Sequence, residues 1–94
     1  MTYVYILRSV ASQDQLYVGV SDDPPQRLND HNQGKCRHTS KFRPWRLVYT
    51  EDFVQRTDAF SREQQLKRWS RGKKEALVAG DKQKLKELSK RKYF

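Results

Sequence analysis

Two apolar runs near the N-terminus, Tyr3-Val-Tyr-Ile-Leu7 and Leu16-Tyr-Val-Gly-Val20, constrain the fold of this chain more than any other feature. Both are rich in β-branched and aromatic residues. Ser9-Val-Ala-Ser-Gln-Asp14 between them is polar and has no apolar periodicity. That arrangement predicts an antiparallel hairpin. A third strand is expected over Trp45-Arg-Leu-Val-Tyr-Thr-Glu-Asp-Phe53, which is rich in strand formers and alternates in its first part. Pro44 suits its entry, because proline is tolerated at the first residue of a strand.

The remaining segments are punctuated as helices. Ser21-Asp22-Asp23 offers capping side chains, Pro24 and Pro25 suit a first turn, and Gly34 suits a left-handed end, so a helix is expected over roughly 24–33. Arg27 and His31 share one face of it, with Leu28 as its main apolar anchor. Residues 35–43 form a basic loop with one Phe. A second helix is expected from a cap at Thr57 or Asp58 to about Ser70, with Ala59, Leu66 and Trp69 at helical spacings. Lys73 to Val78 predicts a short helix closing at Gly80, and Asp81 can cap another over Lys82 to Lys92, where Leu85 and Leu88 are the aliphatics. The expected class is α+β: a small three-stranded antiparallel sheet flanked by helices. Residues 1–80 form the domain and 81–94 a basic helical extension.

With 94 residues the chain has room for a single core, since domains usually run to about 100–200 residues. Its formal charge is +9 and is unevenly placed: residues 54–94 carry thirteen Lys/Arg against five Asp/Glu, residues 1–53 seven against six. A basic excess concentrated in one half is the electrostatic footprint of a polyanion binder. A solvated charged surface is the plainer explanation of the same excess. One cysteine, Cys36, excludes an intramolecular disulfide, and with only His31 and His38 beside it a four-ligand zinc site is excluded too. No apolar stretch is long enough for a membrane span, and the N-terminal run is too short for a signal sequence. The expectation is a soluble protein of a reducing, cytoplasmic compartment with no membrane partner.

Glu63 is the oddest residue of its helix. It lies on or beside the stripe made by Ala59, Phe60 and Leu66, which should face the core. A carboxylate there needs a partner, because burying a lone charge costs several kcal/mol or neutralises it. Arg27 or another base could supply one; a hard cation such as Mg²⁺ is the alternative. Tyr5 and Tyr17 sit near the middles of the paired strands. If they stand directly opposite one another, both hydroxyls emerge on one face; a register shifted by one residue sends them to opposite faces. Taken singly, the tyrosines read as packing residues, Arg27 as one of many basic residues, and His31 as a surface histidine.

In order along the chain these residues resemble a known family. Val4-Tyr5-Ile6, followed after ten residues by Tyr17-Val18-Gly19, resembles the paired signature that names the GIY-YIG nucleases. Arg27, eight residues past that glycine, falls where the family carries its catalytic arginine. Asn32-Gln-Gly34, Arg43-Pro-Trp-Arg-Leu-Val-Tyr49, and Arg62-Glu63 with Leu66-Lys67-Arg68-Trp69 are similar to later stretches of its small single-domain members, and the resemblance covers residues 3–79. The N-terminal nuclease domain of the repair excinuclease is of this type. Two departures stand out: Val4 replaces the first glycine, and Ser21-Asp-Asp-Pro-Pro25 is acidic where some relatives carry a lysine.

The resemblance implies a divalent-metal-dependent endonuclease hydrolysing DNA, structure-specific rather than sequence-specific, with DNA repair as its setting. It implies Tyr5, Tyr17, Arg27, His31 and Glu63 as catalytic residues and Glu63 as the ligand of Mg²⁺ or Mn²⁺. One tyrosine would be the base and the other its orienting partner, with Arg27 and the metal lowering the phenol pKa from its usual value near 10. His31 would relay a proton or orient a tyrosine hydroxyl. Lys35, Arg37, His38, Lys41, Arg43 and Lys67 would contact phosphates, and Phe42 or Trp45 could stack on exposed bases, although Trp45 also suits a core. A protein partner could supply targeting. Two other readings remain open: a non-catalytic nucleic-acid-binding module of the same fold, and an interaction domain whose basic tail docks an acidic partner.

Overall fold

The hairpin forms where the two apolar runs lie. In the computed structural model, which describes residues 1–83, 85 and 86, β1 spans Thr2–Ser9 and β2 spans Leu16–Ser21. β3, Trp45–Phe53, pairs antiparallel with the other side of β1, giving the sheet order β2-β1-β3. β1 is therefore central, and Val4, Tyr5, Ile6 and Leu7 are all at most 1% exposed. A strand covered on both faces needs an unbroken apolar run rather than alternation, which is what residues 3–7 provide.

Helices cover both faces of the sheet. α1 (Pro24–Asn32) and the single turn α2 (Arg37–Ser40) lie on the face of Tyr5, Leu7 and Trp45, where Tyr17, Leu28, Phe42 and Leu47 complete the packing. α3 (Arg56–Arg68) and α4 (Arg71–Ala79) are on the other, against Val4, Ile6 and Val18. Ala59, Leu66 and Trp69 form the buried stripe expected of α3. Burying a side chain such as Leu66 completely contributes roughly 1.5–3 kcal/mol. A bulge in β3 serves both faces. Ile6 pairs with Tyr49 but Leu7 with Leu47, so Val48 is the extra residue. The parity of the strand changes there. Trp45 and Leu47 consequently face α1, while Tyr49 and Phe53 pack against the α3 side.

Helix ends follow local chemistry, with some corrections to the expected bounds. Asp23 caps α1 by accepting from the Gln26 N–H at 3.2 Å, and Gly34 takes a φ of 79° just past the helix. α3 begins at Arg56 after Gln55, earlier than a cap at Thr57 or Asp58 would set it, with no side-chain cap. Trp69 leaves helical geometry, so Ser70 does not end α3; its hydroxyl instead accepts from the Lys73 N–H and caps α4. Gly72 therefore lies inside α4, and Gly80 at φ 72° closes it as expected. Within the basic segment 35–43, α2 replaces part of the expected loop. Long-range ion pairs fix the helices: Arg8 of β1 grips Glu75 of α4 with both nitrogens of its fork, and Arg62 of α3 holds Glu51 of β3 at 3.0 Å while lying over Trp69. Of the helix expected over Lys82 to Lys92, Lys82, Gln83, Leu85 and Lys86 are helical. Leu85 packs against the α3-side core and its N–H donates to the Asp81 carbonyl at 3.1 Å, while residue 84 and residues 87–94, Leu88 among them, lie outside the described residues.

Candidate active site

The hairpin register places both tyrosines on the sheet face under α1, though not as direct partners. Tyr5 pairs with Gly19 and Leu7 with Tyr17, so the two tyrosines are diagonal neighbours, with ring centroids 6.3 Å apart. The register is displaced by two residues from direct opposition, and an even displacement keeps the face. Gly19 makes the arrangement possible. The Tyr5 ring lies across it, and a Cβ at position 19 would stand 2.5 Å from the ring's Cζ and hydroxyl oxygen.

His31 is not a surface residue. It is fully buried, with Nε2 3.0 Å from the Tyr5 hydroxyl and Nδ1 2.8 Å from Thr39 Oγ1. The Thr39 hydroxyl donates onward to the Cys36 carbonyl at 3.3 Å. The donor and acceptor roles follow the imidazole tautomer: with the Thr39 proton on the Cys36 carbonyl, Nδ1 donates to Thr39 and Nε2 accepts from Tyr5. A chain of hydrogen bonds links Tyr5, His31, Thr39 and the Cys36 carbonyl. Burial first, and then the nearby Arg27 charge, hold the His31 pKa below its ordinary value, which keeps the ring neutral as an acceptor. Nothing in the sequence marks Thr39. Its partner lies eight residues away, and only the turn α2 brings the two together.

Asn32 is a second constraint on the site. Its side-chain oxygen accepts from the Trp45 N–H at 2.6 Å, and its amide donates to the Trp45 carbonyl at 3.0 Å. One side chain thereby ties the end of α1 to the start of β3. The Trp45 indole donates to the Thr39 carbonyl at 2.8 Å, which fixes α2 against the same point. Trp45 is 5% exposed, so it is a core residue and not a platform for bases.

The tyrosines are less acidic than the expected role as base requires. Tyr5 is pushed up to about 12: burial is the largest cause, the Coulombic effect of Tyr17 adds to it, and Arg27 opposes both without prevailing. Tyr17 is also raised, by burial foremost, with Lys67 and Arg27 acting against it. The expectation that Arg27 lowers the phenols is correct in sign and outweighed in size by desolvation. The two residues differ in access. Tyr5 is 1% exposed, whereas Tyr17 is half-buried and lines a cleft of about 390 Å³ with Leu16, Val18, His38, Lys67 and Lys74.

This cleft lies along β2, an edge strand, and α3 contributes to it from the far side of the sheet. Glu63 of the same helix is half-buried and does not line the cleft, but its charge acts on Tyr17. Its ionic partner is Lys67, one turn on at 3.3 Å, rather than Arg27. Arg27 instead meets Asp30 at 3.4 Å, and Lys35 meets the same carboxylate at 3.3 Å. Lys74 of α4, which the sequence does not single out, joins Lys67 on the cleft wall. Among the described residues no three His, Cys, Asp or Glu side chains gather as a metal cage. A single half-buried carboxylate beside a cleft, once freed from Lys67, nevertheless suits Mg²⁺, which keeps several waters and uses one or two carboxylates together with substrate phosphates.

The other basic residues divide by position. Arg37, His38 and Lys41 line a separate cavity with Phe42, and the His38 ring is 6.4 Å from that of Tyr17. Arg43 is engaged locally, its guanidinium lying across Gly34. Lys35 is held by Asp30 at the surface. No helix among the described residues is long and apolar enough to cross a membrane.

Comparison with known proteins shows the family and the fold. The family model described as the GIY-YIG catalytic domain matches residues 1–76. A UPF0213 protein of Haloquadratum walsbyi is 38% identical over 77 residues, covering 81% of this chain and 84% of that protein. A UPF0213 protein of Bacillus pumilus is 35% identical over 77 residues, covering 81% and 76% respectively. The solution NMR structure of a UPF0213 protein from Bacillus halodurans superposes with a TM-score of 0.54 at 36% identity, covering 86% of each chain.

Proposed function

Because the chain belongs to the GIY-YIG family, whose domain is a nuclease domain, we propose that it is a divalent-metal-dependent endonuclease hydrolysing phosphodiester bonds in DNA. The observation that carries this reading is the convergence of Tyr5, Tyr17 and His31, with ring centroids 4.9–6.3 Å apart, beside Arg27 and a cleft lined by cations. Recognition through phosphates and local strand shape fits a cleft walled by Lys67, Lys74 and His38. Such an enzyme is structure-specific, and DNA repair is a setting that suits it. A protein partner would then supply targeting.

In this mechanism Tyr17 is the base and Tyr5 its orienting partner, because only Tyr17 is open to the cleft. Tyr17 first loses its phenolic proton to solvent; as the tyrosinate it takes a proton from the attacking water while the water oxygen bonds to phosphorus, the ester P–O bond breaks, and the departing oxygen takes a proton from solvent. Tyr5 cannot meet solvent, and its hydrogen bond to His31 fixes the ring on which Tyr17 packs. Arg27 pairs with the scissile phosphate, where a rigid two-pronged guanidinium suits two oxygens. Mg²⁺ or Mn²⁺ held by Glu63 would supply positive charge to the phosphate oxygens and the departing oxygen. Lys67 then releases Glu63 and turns to phosphate, as its exposed side chain permits. The raised pKa of Tyr17 has a visible consequence: cleavage rate should climb with pH through the neutral range and beyond without a plateau near 7. A plateau there would remove Tyr17 as the base.

The non-catalytic module draws on the Glu63–Lys67 ion pair, which occupies the carboxylate. Incubating the protein with labelled branched, single-stranded and duplex DNA plus Mg²⁺ or Mn²⁺ separates the readings. Metal-dependent products absent from Glu63→Gln support the nuclease; binding of the same DNA with no product supports the module.

A further inference from the structure

We infer that the cavity lined by Arg37, His38, Lys41 and Phe42 is a subsite for one unpaired nucleotide next to the scissile phosphate, so that the substrate is DNA with a single-stranded segment at the cut. The inference rests on the nuclease reading and names its substrate class. Three observations support it.

The cavity measures about 490 Å³, within the range of about 300–1,000 Å³ common for small-ligand sites. Its lining combines one aromatic ring with two permanent cations and an imidazole, which together suit a base and the phosphate attached to it. Arg37, His38 and Lys41 are exposed, whereas Phe42 is half-buried with its ring edge-to-face on Trp45 at 6.3 Å. The ring is thus held from behind.

The cavity also adjoins the cleft. His38 lines both, and its ring is 6.4 Å from that of Tyr17. A strand with one phosphate at Tyr17 therefore carries its neighbouring nucleotide past His38 to Phe42. A base inside a duplex has both faces stacked and cannot present one to Phe42; an unpaired base can.

The subsite is rigid at its base, as a binding surface should be. The buried Thr39 fixes α2 through its bond to His31, and its carbonyl accepts from Trp45. The Phe42 carbonyl accepts from the Ser9 hydroxyl at 2.6 Å. The turn carrying Arg37, His38 and Lys41 is therefore coupled to the ring against which Tyr5 is held.

The test is equilibrium binding of full-length protein, without divalent metal, to fluorescently labelled oligothymidine, to a duplex with a single-stranded flap and to a blunt duplex. Wild type should prefer the two substrates with unpaired nucleotides. Phe42→Ala should weaken those two by about tenfold, as expected for loss of one base–aromatic stack, and change blunt duplex by less than about twofold. Phe42→Leu, which keeps the apolar contact with Trp45, should show the same selective loss, and circular dichroism of both variants confirms folding. The surface variant Lys41→Ala should lower the salt dependence of flap binding by about one phosphate contact. Equal losses on all three substrates, or no loss in any variant, overturns the subsite. Cleavage by wild type measured separately with metal distinguishes the failures. Glu63-dependent cleavage of DNA without a preference for unpaired nucleotides removes the subsite and leaves the nuclease; unpaired-strand preference without cleavage does the reverse.

Discussion

At position 19 a methyl group would stand 2.5 Å from the Tyr5 ring, and the neighbour to be displaced is a buried ring held by His31. Gly19→Ala should therefore destabilise the protein by about 1–3 kcal/mol, as overpacking does, and lower its urea midpoint. An unchanged midpoint would mean that the ring moves freely. His31 gives a prediction of definite sign. Its folded pKa lies below the unfolded value near 6.5, so below that pH the unfolded chain takes up a proton that the folded one refuses. Stability should be complete above about pH 6.5 and fall as acid is added. His31→Gln should flatten that part of the curve, and a wild-type midpoint that rises in acid would contradict the buried neutral imidazole. Arg27→Ala should lower cleavage rate by about 10²–10³, the usual cost of removing a transition-state charge partner. Glu63 shows how far residue-level reading reaches. Its place on an apolar stripe announces a partner, but the choice of Lys67 depends on which rotamers meet across one helical turn.

The elements are legible where punctuation is strong. Pro24, Asp23 and Gly34 delimit α1 closely, and the aromatic and β-branched runs mark all three strands. Weak punctuation misleads. Gln55 has no capping bond, so nothing in the sequence marks the start of α3, and the Ser70 cap reads as a continuation of the helix before it. The turn α2 is too short for any periodicity. Hairpin register is illegible for a different reason: several pairings bury the same face, and the close approach of the Tyr5 ring to Gly19 is a tertiary fact. Asn32 belongs at this scale because it joins two elements. Asn32→Ala removes both bonds to the Trp45 backbone and leaves two polar groups without them, at a cost of about 1–3 kcal/mol. Chemical denaturation should show that loss; if it does not, the α1–β3 junction is held by packing alone.

Across the whole molecule, the sheet separates two tasks. One face carries the tyrosines, Arg27 and His31 under α1; the other is a core beneath α3 and α4, which reach the cleft through Lys67 and Lys74. Two cations of the basic half, Lys67 and Lys74, thus set a local positive field along the β2 edge. If that field holds DNA through phosphates, affinity should fall by about 10²–10³ between 50 and 200 mM salt, measured by anisotropy at several ionic strengths. The family, and the members of the candidate site, can be read from motif order. The buried state of His31, the part played by Thr39 and the opening of Tyr17 alone to the cleft cannot, because each depends on segments distant in sequence meeting around Trp45. The most direct measurement is metal-dependent cleavage of a flapped DNA by wild type, Glu63→Gln and Arg27→Ala, all shown to be folded. The account predicts discrete products from wild type that disappear in Glu63→Gln and fall by about 10²–10³ in Arg27→Ala. Products unchanged in both variants, or absent from wild type although the DNA is bound, would contradict it.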